Sequence, residues 1–292
     1  MDCVGPQSGA FSTRERSFLQ IIDVPRERKS GESADSGNDD PQFRRGIHSG
    51  YSADVEAGKR ALDFTDAAEI LERCLGNEGT DAWTYVGFSR QRDLEIGVLS
   101  SWADENGFWI PGDLMTGIER GGMEHDLIYA GTPPHRVMKL TRGSKFGVYP
   151  HCYPSQVSGM ASGWFALLSG TPSQYLKRMA LTDLLFPGLE HRLEGFLMLD
   201  GQFRIVISQR FIEPVAASQK AISAFFTGAG FEQLLAEAWY READNVAIFD
   251  TGTTNLLEFS EHLFPIDILP VRPGGIMLDR IHEALRIPFR SR

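Results

Sequence analysis

The dipeptide Asp200-Gly201 is the feature that most restricts how this chain can fold. It lies between two apolar runs, residues 193–199 and 202–208. Asp-Gly suits a two-residue hairpin turn because both of its residues tolerate positive φ. In the second run Phe203, Ile205 and Ile207 recur at every second position, the period of a strand with one face on a core. A long antiparallel hairpin excludes an all-helical fold. Upstream, residues 124–130 and 135–141 read as two further strands joined across Gly131-Thr132-Pro133-Pro134. Thr171-Pro172 then opens a helix with Pro at its first position, and Tyr175, Leu176, Met179, Ala180 and Leu184 keep helical spacing behind it. Residues 142–163, punctuated by Gly and Pro, read as a loop.

Two helices are expected before the strands. Asp66 with Glu69 has the form of a capping box, ahead of Ile70, Leu71 and Leu75. A second helix is predicted over residues 92–105, with Leu94, Val98, Leu99 and Trp102 on one face. After the hairpin, residues 218–227 read as a helix, and 246–249 and 263–266 as short strands; 231–239 fits either helix or a turn and strand. The pattern is α+β, a sheet-rich first lobe followed by a small helical one. It divides into a disordered leader (1–60), a helical extension (61–110), the sheet lobe (111–213) and a minimal second lobe (214–292). The leader assignment rests on residues 25–46, which are charged, rich in Ser and Gly and too poor in apolar side chains to offset their ordering entropy.

A net charge of −10 argues against a nucleic-acid partner, which would be met by a basic face. It does not disfavour a nucleotide site, which needs only one or two local cations and Mg²⁺. Cys3, Cys74 and Cys152 are far apart and form no zinc pattern. No apolar run approaches the ~18 residues of a membrane span. The expectation is a cytoplasmic protein with no membrane partner.

The chemistry concentrates in residues 246–269. Asp250 is followed five positions on by Asn255, and Asp267 comes twelve residues after that, next to an apolar strand. Phosphoryl transfer uses this combination: one carboxylate to orient or deprotonate the attacking hydroxyl, an amide oxygen and a second carboxylate for Mg²⁺. On this reading Asp250 is catalytic and Asn255 and Asp267 are metal ligands. Arg136-Val137-Met138-Lys139 places a lysine on a strand, as in the kinase lysine that reaches the α- and β-phosphates. Gly121 and Gly122 would let a backbone approach phosphates closely, and a plain turn explains them equally well.

The segments GGMEHDLIY, HRVMKL, TPSQYLKRMALTDLLF, LEGFLMLDGQFRIVISQRFI and DTGTTNLLEFSEHLFPIDIL occur in that order. Together they resemble the serine/threonine/tyrosine kinase-like domain of polyvalent proteins from phages and mobile elements, over residues 99–270. The resemblance implies a two-lobed protein-kinase-like fold binding ATP and Mg²⁺ between its lobes. It implies that Lys139 contacts phosphate and that Asp267 stands where the kinase metal-binding Asp stands. It also makes residues 208–213, with Gln209 and Phe211, the hinge that meets the adenine. Ile248-Phe249 replace the usual His-Arg before the catalytic Asp, and Ile268-Leu269 replace Phe-Gly. The helix from Thr171 offers no Glu to pair with Lys139, for which Glu124 is the candidate substitute. About two dozen residues follow Asp267, which predicts a second lobe without a peptide-docking platform. Three readings follow: a phosphotransferase acting on a protein or small molecule, a nucleotide-binding pseudokinase that serves as an interaction module, or a structural or partner-binding α+β domain in which the Asp/Asn/Asp spacing is accidental.

Overall fold

The first helix starts ahead of the expected capping box. In the computed structural model, which describes residues 63–75, 85–115, 117–120, 124–130, 135–143, 145–152, 165–213, 215–259 and 262–286, α1 spans Phe64–Leu75. Asp63, not Asp66, accepts the free Thr65 N–H at 3.0 Å, while Asp66 and Glu69 stand exposed. The reason is the apolar stripe: Phe64, Ala67 and Leu71 are all buried, so the helix must already be wound at Phe64. The leader expected over 1–60 lies outside the described residues. α2 (Tyr85–Asn106) is longer than predicted, and its inner face differs. Leu99 and Ala103 are buried but Leu94 is 46% exposed, and Glu95 turns inward instead. Its carboxylate accepts the Ser173 N–H at 2.8 Å and the Ser173 hydroxyl at 3.0 Å, where a later helix begins.

Five strands form the central antiparallel sheet. β1 (Glu119–Arg120), β2 (His125–Ala130) and β3 (Arg136–Thr141) are consecutive neighbours. A separate pair follows, β4 (Val148–Cys152) with β5 (Phe165–Ser169); β4 falls inside the stretch 142–163 expected to be loop. Pro150 hid it, since proline within a run usually marks a non-strand, yet a two-stranded edge tolerates it. Next comes α3 (Pro172–Leu185), which starts at Pro172 as predicted and is closed by a capping box: Thr171 accepts the Gln174 N–H and the Gln174 side chain returns to the Thr171 N–H. β6 (Arg192–Leu199) and β7 (Gln202–Arg210) then form the hairpin, with Asp200 at φ 52° and Gly201 at φ 70°. The sheet order is β1-β2-β3-β7-β6.

β7 lies between β3 and β6 and is buried on both faces, not one. Phe203, Ile205 and Ile207 pack with Tyr175, Leu176 and Met179 of α3 and with α1 and α2. Val206 packs on the opposite face with Ile110, Met138 and Leu140. At about 25 cal/mol per Å² of apolar surface, the first of these cores is the main force holding α3 against the sheet.

The remaining elements correct the expectation of a helical second lobe. After α4 (Gln219–Gly228) come β8 (Glu232–Leu235), β9 (Ala238–Arg241), β10 (Val246–Phe249), β11 (Leu256–Phe259), β12 (His262–Pro265) and β13 (Leu269–Val271), then α5 (Gly275–Leu285). Among the described residues of 214–292, two α-helices therefore accompany six strands. The physical reason is length and connection. The apolar runs are mostly four residues, too short for a helix, and tight turns between several of them favour antiparallel pairing. The fold remains mixed α and β with antiparallel sheets, and α4 and α5 are the only α-helices of this part among the described residues, beside a single 3-10 turn at Glu242–Asp244. β13-β10-β9-β8 is one sheet and β11-β12 a separate hairpin. All four residues of β10 are buried, with Val246 and Ile248 toward α4 and Ala247 and Phe249 toward α5. No helix among the described residues is long and apolar enough to cross a membrane.

Candidate functional site

Lys139 sits on β3 opposite Leu127 of β2 and Ile207 of β7, so it points to the sheet face that α3 covers. Its side chain is 8% exposed. The ammonium donates to the Ile266 carbonyl at 2.7 Å and to the Asp267 carboxylate at 3.1 Å. Two of the residues singled out in the sequence, 128 positions apart, are thus in direct contact. Asp267 is 38% exposed and occupies the open side of the pair. Burial works to raise its pKa, but the charge of Lys139, followed by His125 and Arg178, outweighs this and holds it below the usual carboxylate range.

Asp250 and Asn255 bound the loop that leaves β10. Asp250 adopts φ 58°, a left-handed conformation that Asp tolerates better than most residues. The Asn255 amide donates to the Asp250 carbonyl at 2.9 Å, and the Asn255 N–H closes on Gly252 O at 2.9 Å. Ile266 N–H donates to the Asn255 carbonyl at 2.8 Å, which docks the loop beside Asp267. Below the loop, Thr251 is fully buried and accepts the Trp239 indole N–H at 3.1 Å. Asp250 is shifted opposite to Asp267. Burial raises its pKa, and the carboxylates of Glu237 and Glu124 push the same way, against a hydrogen bond from Asn255. Lys139, Asp250, Asn255 and Asp267 therefore share one neighbourhood.

Glu124 does not take the role of lysine partner. Its carboxylate grips Arg178 of α3 in a bidentate pair at 2.6 and 3.1 Å and accepts the Val148 N–H at 3.0 Å. Arg178 returns a hydrogen bond to the Val148 carbonyl at 3.2 Å. Gly147, at φ 68°, lies against this pair; a Cβ there would come within 3.0 Å of Glu124 Oε2 and 3.1 Å of Arg178. His125 is buried, with Nε2 2.9 Å from the Tyr175 hydroxyl and Nδ1 3.8 Å from Asp267. Burial lowers its pKa to about 4, so the ring is neutral at pH 7. Nδ1–H facing the carboxylate, with Nε2 accepting from Tyr175, is the tautomer that suits an acceptor-only neighbour. Sequence reading missed Arg178 because it searched this helix for a carboxylate. The available signal was a charged residue three positions after Tyr175, on the stripe that must face the core.

The other expected site residues fall elsewhere. Gly121 and Gly122 lie outside the described residues. The Gln209 side chain is buried and bonded to His191 Nε2 at 3.2 Å. Phe211 donates its N–H to the His135 carbonyl at 3.0 Å and sets its ring edge against Tyr129. The ladder to β6 ends at Ser208, so beyond it the outer edge of β7 has no strand partner among the described residues.

The donor set suits a hard divalent cation: an ionised carboxylate at Asp267 that reaches solvent, and an amide at Asn255 whose nitrogen is already bonded inward. Glu124, His125 and Asp267 also present ligand atoms within 4.8 Å of one another. In that trio, however, Arg178 already neutralises Glu124 and Lys139 neutralises Asp267, so an added cation would meet two fixed positive charges.

A buried strand lysine facing an Asp-x4-Asn loop and a further Asp are groups that phosphoryl transfer uses. Residues 166–270, about a third of the chain, match the family model described as Serine/Threonine/Tyrosine Kinase found in polyvalent proteins, which supports a kinase-like domain there; Lys139, Glu124 and His125 lie outside the matched segment. The chain matches no curated protein and no solved structure.

Proposed function

We propose that this protein is an ATP-dependent phosphotransferase that uses Mg²⁺. In this reading it has a two-lobed kinase arrangement, with residues 111–213 as the nucleotide-facing sheet lobe and 214–292 as a minimal second lobe. Residues 61–110 are a helical extension. A cytoplasmic setting would supply ATP and Mg²⁺. The observation that carries the reading is the opposed shift of the two carboxylates. Asp267 is held ionised by neighbouring cations, while Asp250 is made more basic by burial and carboxylate neighbours. Environments that separate two carboxylates in this way divide their roles. Asp250 accepts the proton of the attacking hydroxyl as its oxygen bonds to the γ-phosphorus and the bond to the ADP oxygen breaks. Asp267 and Asn255 hold Mg²⁺, which when bound neutralises charge on the phosphates. Lys139 turns its ammonium from Asp267 to phosphate oxygens, and the strand edge beyond Ser208 receives the adenine between Gln209 and Phe211, at the backbone of Arg210, since the Phe211 N–H is bonded to His135.

One observation favours a second reading, a nucleotide-binding pseudokinase. Lys139 is paired with Asp267 itself, and α3 offers it no carboxylate. Thermal stabilisation by ATP with Mg²⁺, together with transfer or slow hydrolysis, tests both. Asp250→Asn should retain the stabilisation and lose about 10²- to 10⁴-fold in turnover. Asp267→Asn should lose the Mg²⁺-dependent part of binding. Stabilisation without turnover in the wild type selects the pseudokinase, and no stabilisation by ATP overturns nucleotide binding altogether.

A further inference from the structure

In kinases the helix after the lysine strand acts on that lysine through a glutamate. Here α3 carries no such residue, and the contacts of Lys139 are to Ile266 and Asp267. Yet α3 is tied firmly to the site by two buried polar side chains one turn apart, Tyr175 and Arg178. Between them they reach two consecutive residues where β2 begins, Glu124 and His125. Arg178 holds Glu124, and Tyr175 holds His125. The far side of the His125 ring faces the Asp267 carboxylate. The Arg178 guanidinium also lies 5.2 Å over the Tyr175 ring, so the two anchors brace each other.

We propose that α3 acts on the metal carboxylate rather than on the lysine, with Tyr175, through His125, a positioning residue that orients Asp267 for Mg²⁺. This rests on the nucleotide and Mg²⁺ reading above. A carboxylate on an exposed bend has two rotatable bonds, and Lys139 constrains it from one side only. The imidazole supplies a second wall, with Nδ1 3.8 Å from the carboxylate oxygen. A hydroxyl behind the ring fixes the tautomer and the ring angle. Partners that orient a metal ligand from behind typically change metal affinity by about 10- to 100-fold when removed. Glu124 and Arg178 keep the backbone of that wall in place, with Gly147 leaving room for them.

The test is calorimetric titration of the full chain with a non-hydrolysable ATP analogue, with Mg²⁺ and with a chelator. Tyr175→Phe, which keeps the ring and removes only the hydroxyl, should weaken binding about tenfold with Mg²⁺ and under about twofold without it. His125→Gln should behave alike. Lys139→Met should weaken binding in both conditions. A Tyr175→Phe protein that melts earlier but keeps the wild-type ratio of Mg²⁺-containing to metal-free affinity overturns the inference, since the hydroxyl then serves packing alone. Absence of analogue binding in the wild type overturns instead the reading on which it rests, and the inference with it.

Discussion

The two banks of the candidate site handle charge in opposite ways. On the sheet bank, around β2, β3 and α3, every carboxylate near the site has a cation against it: Glu124 has Arg178 and Asp267 has Lys139. On the loop bank, Asp250 has no such partner among the described residues; its neighbours are an amide and three further carboxylates, Glu237, Glu124 and Asp267. The first arrangement lowers carboxylate pKa values and the second raises them. The difference teaches that stability and reactivity are separated in space. Paired buried charges fix the scaffold, whereas a carboxylate left uncompensated on a left-handed turn gains basicity at some cost to the fold.

The largest expected effect breaks the sheet bank. Arg178→Met leaves Glu124 buried without its cation and should lower the free energy of unfolding by about 3–5 kcal/mol in denaturant titration. A loss under ~1 kcal/mol would mean that the ion pair is not what holds α3 to β2. The second effect is acid sensitivity. The folded pKa of His125 is about 4, below its unfolded value, so the unfolded chain binds the proton more readily. Its contribution is fully present above about pH 6.5 and is lost as pH falls toward 4, by up to about 3 kcal/mol. His125→Gln should flatten the stability profile in that window, and an unchanged slope would show that the ring titrates freely. The smallest effect lies on the loop bank. Asp250→Asn removes like-charge repulsion and keeps a residue that tolerates positive φ, so stability should change by less than about 1 kcal/mol, and upward. A clear destabilisation would place Asp250 among the structural carboxylates and erase the contrast.

Much of the sheet was legible before any tertiary information. The Asp-Gly turn, the alternation in β7 and the Thr171 cap are local devices, whose physics is completed within a few residues. The order Lys139, Asp250, Asn255, Asp267 could be read for the same reason, since spacing and residue type survive without coordinates. The strands β4 and β13 were not legible, because Pro150 and Pro270 contradict strand propensity and are tolerated only by their neighbours in the sheet. The helical expectation for 214–292 failed because four-residue apolar runs specify burial but not the partner.

What the sequence determined alone is therefore the inventory: a hairpin-centred sheet, a capped helix after the lysine strand, and one phosphotransfer-like set of polar residues. What only the tertiary structure decided is the pairing of that inventory. Lys139 met Asp267 and not Glu124, Arg178 took Glu124, and Tyr175 met His125 across fifty positions. Ion pairs and buried hydrogen bonds depend on distance in space, which falls off steeply and carries no trace along the chain, so composition and spacing name the charges without saying which will touch.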